Sequence, residues 1–334
     1  MDPGRFRSAP AGAAARGKRR RFPCPPGLRA KLLALTRVLP ATALLLVGSP
    51  QHARAEAVHW QDAMGREVAI ELPARSIVSL APSVTETLFA LGAGRIVTGV
   101  SKRCDFPVEA KLKPKMGEFN TPDLAAVTAA APDVVLFAEY ARQTDLDALA
   151  RAGIPALVLP ARSVADVIAG IARLGALAGR AAEAERLAAE ISLAAREVGE
   201  RLAAASNGPP PRVYIEVDGP EALYAVGPGS FMDDIVRLAG GKNVFADRAS
   251  AYFAVQSREV IAANPEVILV DYPFQYKVGV SRRPGWDAVA AVRNARVYDG
   301  TDFDIILFNR PGPRIARSLR EIARLLHPGV FRER

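Results

Sequence analysis

A long helical pattern near the middle of the chain limits the possible folds more than any other feature. Ile168, Ile171 and Leu174 recur at helical spacing, and residues 181–205 then contain no proline and a single glycine, Gly199. A helix of about 25 residues is roughly 37 Å long, which is longer than the packing of one small lobe requires. The pattern therefore predicts a rigid connector between two folded parts, and it stops at the prolines of residues 209–211.

Short apolar runs alternate with helical patterns on both sides of this connector. Continuous apolar runs are typical of parallel strands covered on both faces. Predicted strands occupy residues 77–80, 96–100, 133–137 and 155–159 before the connector and 212–217, 223–226, 267–271 and 296–299 after it. Predicted helices occupy residues 84–91, 124–130 and 144–152, and then 231–239, 258–263 and 313–326. The predicted domains are a leader at 1–57, an N-terminal α/β lobe at 58–180, the connecting helix at 181–206 and a C-terminal α/β lobe at 207–334.

The leader has the features of an export signal. It holds 11 basic and 2 acidic residues, which account for the whole net charge of +9. An apolar run at residues 38–47 follows, and then small residues typical of cleavage near Ala55 or Ala57. The run is short for a membrane span, so we expect a cleavable signal and a periplasmic protein. An uncleaved anchor stays open as the alternative, as does the choice between the general and twin-arginine export routes.

The stretch RSIVSLAPSVTETLFALGAG, residues 75–94, predicts a buried strand, a tight turn and a helix. Its turn carries Ala-Pro-Ser, where a phosphate-binding loop has closely spaced glycines. The spacing of Ser83 and Glu86 fits a capping box, in which Ser83 begins the helix and Glu86 reaches back to it. We therefore expect this turn to start a helix without binding a phosphate.

Enzyme signatures are absent from the sequence. It has no nucleophile elbow, no P-loop and no zinc-protease motif. After removal of the leader the chain keeps two histidines, His59 and His327, and one cysteine, Cys104. Two histidines disfavour a metal site built on imidazole, and a single cysteine excludes an internal disulfide. We expect a non-enzyme that binds a small molecule between two lobes without a cofactor. The alternatives are a secreted hydrolase that uses carboxylates such as Asp302 and Asp304, or a protein that only captures partners.

Five segments of the sequence carry a resemblance to a known family. They are SIVSLAPSVTE at 76–86, CDFP at 104–107, PDVVL at 132–136, AGGKNVF at 239–245 and RPGPR at 310–314. Together they resemble the periplasmic binding proteins that deliver vitamin B12, ferric siderophores and haem to ABC importers, and most closely the vitamin B12-binding branch. The resemblance runs from about Arg75 to Pro328, nearly the whole chain after the leader.

The resemblance implies a fold and a set of partners. The fold is the class III architecture, in which two Rossmann-like lobes with parallel-rich sheets are joined by one long rigid α-helix. The partners are an ABC permease with its ATPase and a small-molecule ligand, with no nucleic acid, and the protein is expected to be a monomer. Permease docking in the family uses one acidic residue from each lobe. Glu259 in the turn SRE matches the second, whereas the first is replaced by Ala125, so that Asp123 or Glu118 is expected to substitute for it.

The resemblance also places a group of side chains around the ligand. Aromatic rings offer a large, rigid contact area to a flat macrocycle or a catechol, and arginine offers fixed donors to carboxylate or phosphate. The alternative for each aromatic residue is plain packing in a core. The expected ligand-binding residues are Arg103, Phe119, Phe137, Tyr252, Phe253, Phe308 and Arg310.

The identity of the ligand is less tightly constrained. Haem binders of the family often place a tyrosine directly after the glycine that matches Gly117, where this chain has Glu118. Haem is therefore disfavoured, and a haem-binding importer subunit stays an alternative. Corrinoids and ferric siderophores need no protein ligand to the metal, in keeping with the few histidines. The resemblance favours a corrinoid slightly over a ferric siderophore.

Overall fold

The structure is a computed structural model that describes residues 56–205, 208–218, 223–272 and 276–331. The predicted export signal lies outside these residues, except for the last two positions of the leader. Within the described ranges no helix is both long and apolar enough to cross a membrane.

The N-terminal lobe is built on a four-stranded sheet in which every strand is parallel to its neighbours. Its order is β4-β3-β5-β6, and every strand is largely buried because helices cover the sheet. An antiparallel hairpin, β1–β2, precedes the sheet and was not predicted from the sequence. The strands are β1 Glu56–Gln61, β2 Glu67–Leu72, β3 Ile77–Ser79, β4 Val97–Val100, β5 Val134–Ala138 and β6 Ala156–Leu159. The helices are α1 Pro82–Ala90, α2 Val108–Lys111, α3 Leu124–Ala129, α4 Gln143–Arg151 and α5 Val164–Leu177, with a 3₁₀ turn at Gly94–Ile96.

The predicted connector is one unbroken helix, α6, from Ala181 to Ala204. The chain enters it through Gly179, whose φ of +64° lies in the left-handed region that favours glycine. Gly175 of α5 allows close packing there, because a β-carbon at that position would lie 2.4 Å from Cβ of Ala184. The helix packs on α5 along one part of its length.

The connector is more deeply embedded than a free-standing strut. Its buried residues Ile191, Ala194 and Val198 join a single apolar cluster that contains strands of both lobes. The last helix of the chain, α12 Ile315–Leu326, packs along α6 as well. Because both lobes share a core with α6, a rotation of either lobe would disturb that packing.

The C-terminal lobe is built on a six-stranded mixed sheet. Its order is β10-β8-β7-β11-β12, and β9 pairs with the beginning of β7, next to the place where β8 pairs with its end. The strands are β7 Arg212–Val217, β8 Tyr224–Val226, β9 Lys242–Asn243, β10 Tyr252–Ala254, β11 Val267–Asp271 and β12 Val297–Tyr298. The remaining helices are α7 Phe231–Leu238, α8 Ser257–Ala263, α9 Lys277–Ser281, α10 Ala290–Arg293 and α11 Ile305–Phe308, with a 3₁₀ turn at Trp286–Ala288.

Candidate functional site

A cavity of about 560 Å³ lies between the two lobes. The N-terminal lobe contributes residues just beyond the carboxyl ends of β3, β5 and β6, which is where open α/β sheets bind their ligands. The C-terminal lobe contributes the loop between α11 and α12. The lining residues are Ala81, Pro82, Ser83, Arg103, Glu118, Phe119, Asn120, Ala138, Glu139 and Ala161 from the first lobe and Asn309, Arg310 and Pro311 from the second.

The Ala-Pro-Ser turn is part of this lining and does not form the predicted capping box. Helix α1 begins at Pro82 after Ala81 as N-cap, and no side chain caps it. Proline suits this first position because its missing N–H would have no partner there. Ser83 is buried, and its carbonyl accepts a hydrogen bond of 2.8 Å from the Thr87 hydroxyl. The prediction that Ser83 and Glu86 cap each other is therefore wrong.

Glu86 instead holds the two lobes together. Its carboxylate accepts hydrogen bonds from Arg310 at 2.7 Å and from two nitrogens of Arg314 at 2.9 Å each. Only 2% of its side chain is exposed. Arg310 also donates to Asp105 at 2.7 Å, and Arg314 stacks 4.1 Å from the ring centroid of Phe106. We call this group of Glu86, Asp105, Arg310 and Arg314 the inter-lobe clamp.

The clamp fixes the charge of Asp105. Partial burial raises the pKa of this carboxyl, but the hydrogen bond and the positive charge of Arg310 outweigh that effect, and the pKa lies below its ordinary value. Arg310 thus lines the cavity with its charge already balanced by two carboxylates.

The loop of residues 116–123 forms a second part of the wall. Gly117 has a φ of +89°, and a β-carbon there would lie 2.4 Å from the backbone nitrogen of Asp123. The glycine therefore allows the chain to fold back tightly and to present Phe119, which is 42% exposed, at the cavity. Glu118 pairs with Lys102 at 3.4 Å and with Arg103 at 3.7 Å.

Two further carboxyls lie at the carboxyl ends of strands that face each other across the cleft. Glu139 follows β5 with a φ of +64°, which is uncommon for a residue with a side chain. Asp271 ends β11, and its oxygens accept hydrogen bonds of 3.1 and 3.2 Å from the amide of Asn309, which lines the cavity. Sequence reasoning missed Glu139, Asn309 and Asp271, although the positions directly after buried parallel strands were the signal that could have found them.

Burial changes the titration of these groups. It raises the pKa of Asp271 to about 7, although the Asn309 amide acts in the opposite direction. It also raises the pKa of Glu139, an effect that the positive charge of Arg162 partly offsets. Burial raises the pKa of Tyr252 to about 12, and the negative charges of Glu139 and Asp271 add to this. Tyr252 thus lies close to carboxyls from both lobes.

The predicted ligand-binding residues fall into three groups: residues that line the cavity, residues outside the lining that are partly exposed, and residues buried in the cores. Arg103, Phe119 and Arg310 line the cavity. Tyr252 and Phe253 are outside the lining. The charge of Glu139, which lines the cavity, acts on Tyr252, and Phe253 is half-buried against Phe245, with ring centroids 5.6 Å apart.

The prediction needs correction for Phe137 and Phe308. The Phe308 side chain is 0% exposed and packs on Phe303, with centroids 5.5 Å apart. Phe137 is buried in the apolar cluster beneath the N-terminal sheet. Side chains alternate along a strand, and Phe137 points into the core, whereas Ala138 and Glu139 reach the cavity. Neither aromatic ring is free to contact a ligand in this structure.

The two residues expected to dock on a permease have local roles as well. Glu259 caps α8, with its carboxylate accepting from the Gln256 backbone at 2.8 Å, and this bond, followed by one from Arg248, holds its pKa below the ordinary value. Asp123 is exposed and caps α3 by accepting from Ala126 at 3.0 Å. Both remain predictions as docking residues.

The carboxylates of the hydrolase alternative lie outside the cavity lining. Asp302 pairs with Lys277 at 2.8 Å, and Asp304 caps α11. Cys104 is buried beside Thr85 and Ser101. The described part of the chain contains no cluster of three or more His, Cys, Asp or Glu residues that could hold a metal.

Comparison with known proteins identifies the family. Residues 77–302 match the family model described as periplasmic binding protein. The uncharacterised ABC transporter substrate-binding lipoprotein YvrC of Bacillus subtilis strain 168 is 30% identical over 276 residues, which cover 81% of this chain and 86% of that protein. A vitamin B12-binding protein of Pectobacterium atrosepticum is 29% identical over 208 residues, covering 60% of this chain and 73% of that one.

A solved structure shows the same architecture. The apo form of the periplasmic haem-binding protein RhuT from Roseiflexus sp. RS-1 has a TM-score of 0.67 at 25% identity, and the match covers 77% of this chain and 99% of that one. The chain therefore belongs to the periplasmic binding protein family, with the class III fold of a substrate-binding component of ABC transporters.

Proposed function

We propose that this protein captures a corrinoid or a ferric chelate outside the cytoplasm and delivers it to an ABC permease driven by its ATPase. The observation that carries the proposal is the cavity of about 560 Å³ whose walls come from both lobes. A volume of this size is ordinary for a small-molecule site. Relatives named vitamin B12-binding proteins support the corrinoid.

The side chains that line the cavity favour a ligand whose metal is already fully coordinated over haem. Haem iron requires a strong axial ligand from the protein, and none of the described lining residues is a histidine, tyrosine, methionine or cysteine. A corrinoid or a ferric siderophore brings its own complete set of metal ligands. The same lining lacks a nucleophile with an adjacent base, which favours binding without catalysis.

The pairing of strand β1 favours one of the two cleavage sites. Strand β1 begins at Glu56, which pairs with Leu72, and Ala57 pairs with Glu71. Cleavage after Ala57 would remove two paired residues from the strand, whereas cleavage after Ala55 leaves the hairpin whole. The proposed mature protein therefore begins at Glu56 and works in the periplasm, where Glu259 and Asp123 or Glu118 contact the permease.

Titration of the mature protein tests the proposal. Cyanocobalamin, a neutral ferric hydroxamate, a ferric tricatecholate and haem are titrated separately by calorimetry. We expect a dissociation constant in the micromolar range or below for cyanocobalamin or a ferric chelate. Phe119→Ala should weaken it, while Leu193→Ala, a change on the exposed face of α6, should not. Failure of all four to bind below about 1 mM would overturn the proposal.

A further inference from the structure

The charged groups of the cleft are not balanced evenly. The two cations that line the cavity each have a carboxylate partner, since Arg103 pairs with Glu118 and Arg310 with Glu86 and Asp105. Glu139 and Asp271 form no ion pair with any described lysine or arginine. Of the charges near it, Glu139 is influenced by the positive charge of Arg162 without an ion pair between them. Among the described residues, these two carboxyls therefore differ from Arg103 and Arg310 in having no partner of opposite charge in direct contact.

The geometry places the Glu139 carboxyl at the cavity and the Asp271 carboxyl directly behind a lining residue. Glu139 lines the cavity, and its backbone is held in place by a hydrogen bond of 2.7 Å from its own N–H to the carbonyl of Leu159. A residue with a side chain at positive φ is typical of functional sites, where the surroundings hold an unfavourable conformation. Asp271, in the other lobe, lies behind Asn309 of the same lobe and accepts hydrogen bonds from its amide. A bound molecule would meet the Glu139 carboxyl directly and the charge of Asp271 through Asn309.

We infer that Glu139 and Asp271 select the charge of the ligand, so that the cleft accepts an uncharged molecule rich in primary amides and rejects one that carries carboxylates or catecholates. This inference rests on the proposed function and narrows it to the corrinoid. A primary amide donates its N–H to an ionised carboxylate, and it forms two hydrogen bonds with a protonated carboxyl. An anion has no hydrogen to donate to an ionised carboxylate and meets a like charge there in a partly dehydrated site. Because a protonated carboxyl can donate to an anion, the selection is strongest where the carboxyls are ionised.

The candidate ligands differ in the charge that they carry, so selection by charge would separate them. The periphery of cyanocobalamin carries several primary amides, and hydrolysis of one of them to a carboxylic acid changes the charge with almost no change in shape. Haem carries two propionates, and a ferric tricatecholate carries three negative charges. A carboxyl can pair with an amide whether it is ionised or protonated.

The test compares cyanocobalamin with its peripheral monocarboxylic acids. Dissociation constants are measured by calorimetry at about pH 8 for the wild type, Glu139→Gln, Asp271→Asn and the control Glu197→Gln, which lies on the exposed surface of α6. We expect the wild type and the control to bind cyanocobalamin at least about tenfold more tightly than one of the acids. Glu139→Gln or Asp271→Asn should narrow this ratio to about threefold or less. Melting curves show whether each variant is folded.

The outcomes separate this inference from the proposed function. If the wild type binds cyanocobalamin and all its monoacids equally, and the two variants change nothing, charge selection is wrong while the transport role stands. If the protein binds iron complexes only, the narrowing to a corrinoid is wrong, and charge selection alone is then tested with the neutral hydroxamate and the anionic catecholate. Tighter binding of the anion then overturns the inference, and tighter binding of the hydroxamate by about tenfold supports charge selection. Binding of none of these probes overturns both proposals.

Discussion

The inter-lobe clamp gives the sharpest prediction. Replacement of Glu86 by Gln keeps the shape of the side chain and removes the negative charge that two arginines share. The carboxylate accepts three charge-assisted hydrogen bonds of 2.7 to 2.9 Å in an environment that leaves 2% of the side chain exposed. In the variant the positive charges of Arg310 and Arg314 remain partly buried, but the carboxylate that neutralised them is gone.

The size of the effect follows from the exposure of the partners. Removal of one member of a fully buried ion pair costs about 3–5 kcal/mol. Arg310 keeps its bond to Asp105, and 28% of the Arg314 side chain is exposed, so that water can compensate part of its lost contacts. We expect Glu86→Gln to lower the free energy of unfolding by about 2–3 kcal/mol. For a mature chain of this length that corresponds to a fall in melting temperature of about 3–5 °C.

Urea denaturation of the mature protein measures this change. The matched control is Glu197→Gln, because Glu197 also pairs with an arginine, Arg320 at 3.0 Å, but with 45% and 47% of the side chains exposed. An exposed pair contributes about 0–1 kcal/mol. A double-mutant cycle of Glu86→Gln with Arg314→Gln should give a coupling energy above about 1 kcal/mol. Equal losses for Glu86→Gln and Glu197→Gln would refute the reasoning, since burial would then have no effect.

Three further changes test the cleft and its support. Gly117→Ala should lower stability by about 2 kcal/mol or more in urea denaturation, whereas Gly199→Ala, in an open helix position, should raise it by about 0.5–1 kcal/mol; the reverse order would contradict the strain at φ +89°. Asp271 has a raised pKa, so the wild type should lose stability relative to Asp271→Asn as pH rises from about 4 to 7, with a slope approaching 1.4 kcal/mol per pH unit; parallel stability curves would exclude this. Phe119→Ala should weaken ligand binding with little change in melting temperature, while Phe308→Ala should cost about 3–5 kcal/mol of stability; loss of binding without loss of stability in the latter would place Phe308 at the ligand.

The sequence was sufficient for the elements whose patterns are local. Three elements were predicted to within about two residues: the strands at 77–80 and 267–271 and the connector at 181–206. A buried strand or a long helix can be recognised from its own residues, without knowledge of the elements that pack against it. The hairpin β1–β2 was missed although Val68 and Ile70 of β2 alternate with exposed residues, a pattern that predicts a half-buried strand.

The chemistry of the cleft could be predicted only in part, because distant residues decide it. Glu86 has the spacing of a capping box, yet its partner Arg310 lies 224 positions away. Phe308 and Phe119 are equally plausible ligand contacts in sequence, and only the packing of Phe308 against Phe303 places it in the core. Glu139 and Asp271 belong to no sequence motif. They were not predicted as site residues because only the arrangement of the two lobes brings the ends of β5 and β11 to the cleft.

The embedding of α6 in the cores of both lobes has a consequence for transport. A receptor whose halves are joined by shared packing and by a clamp of buried charges holds nearly the same outline with or without cargo, so little ordering entropy is lost when a solute enters. The membrane partner then meets much the same face on empty and full receptors. Empty copies should compete for the transporter, and the rate of uptake should peak and then fall as the receptor is made to outnumber its cargo.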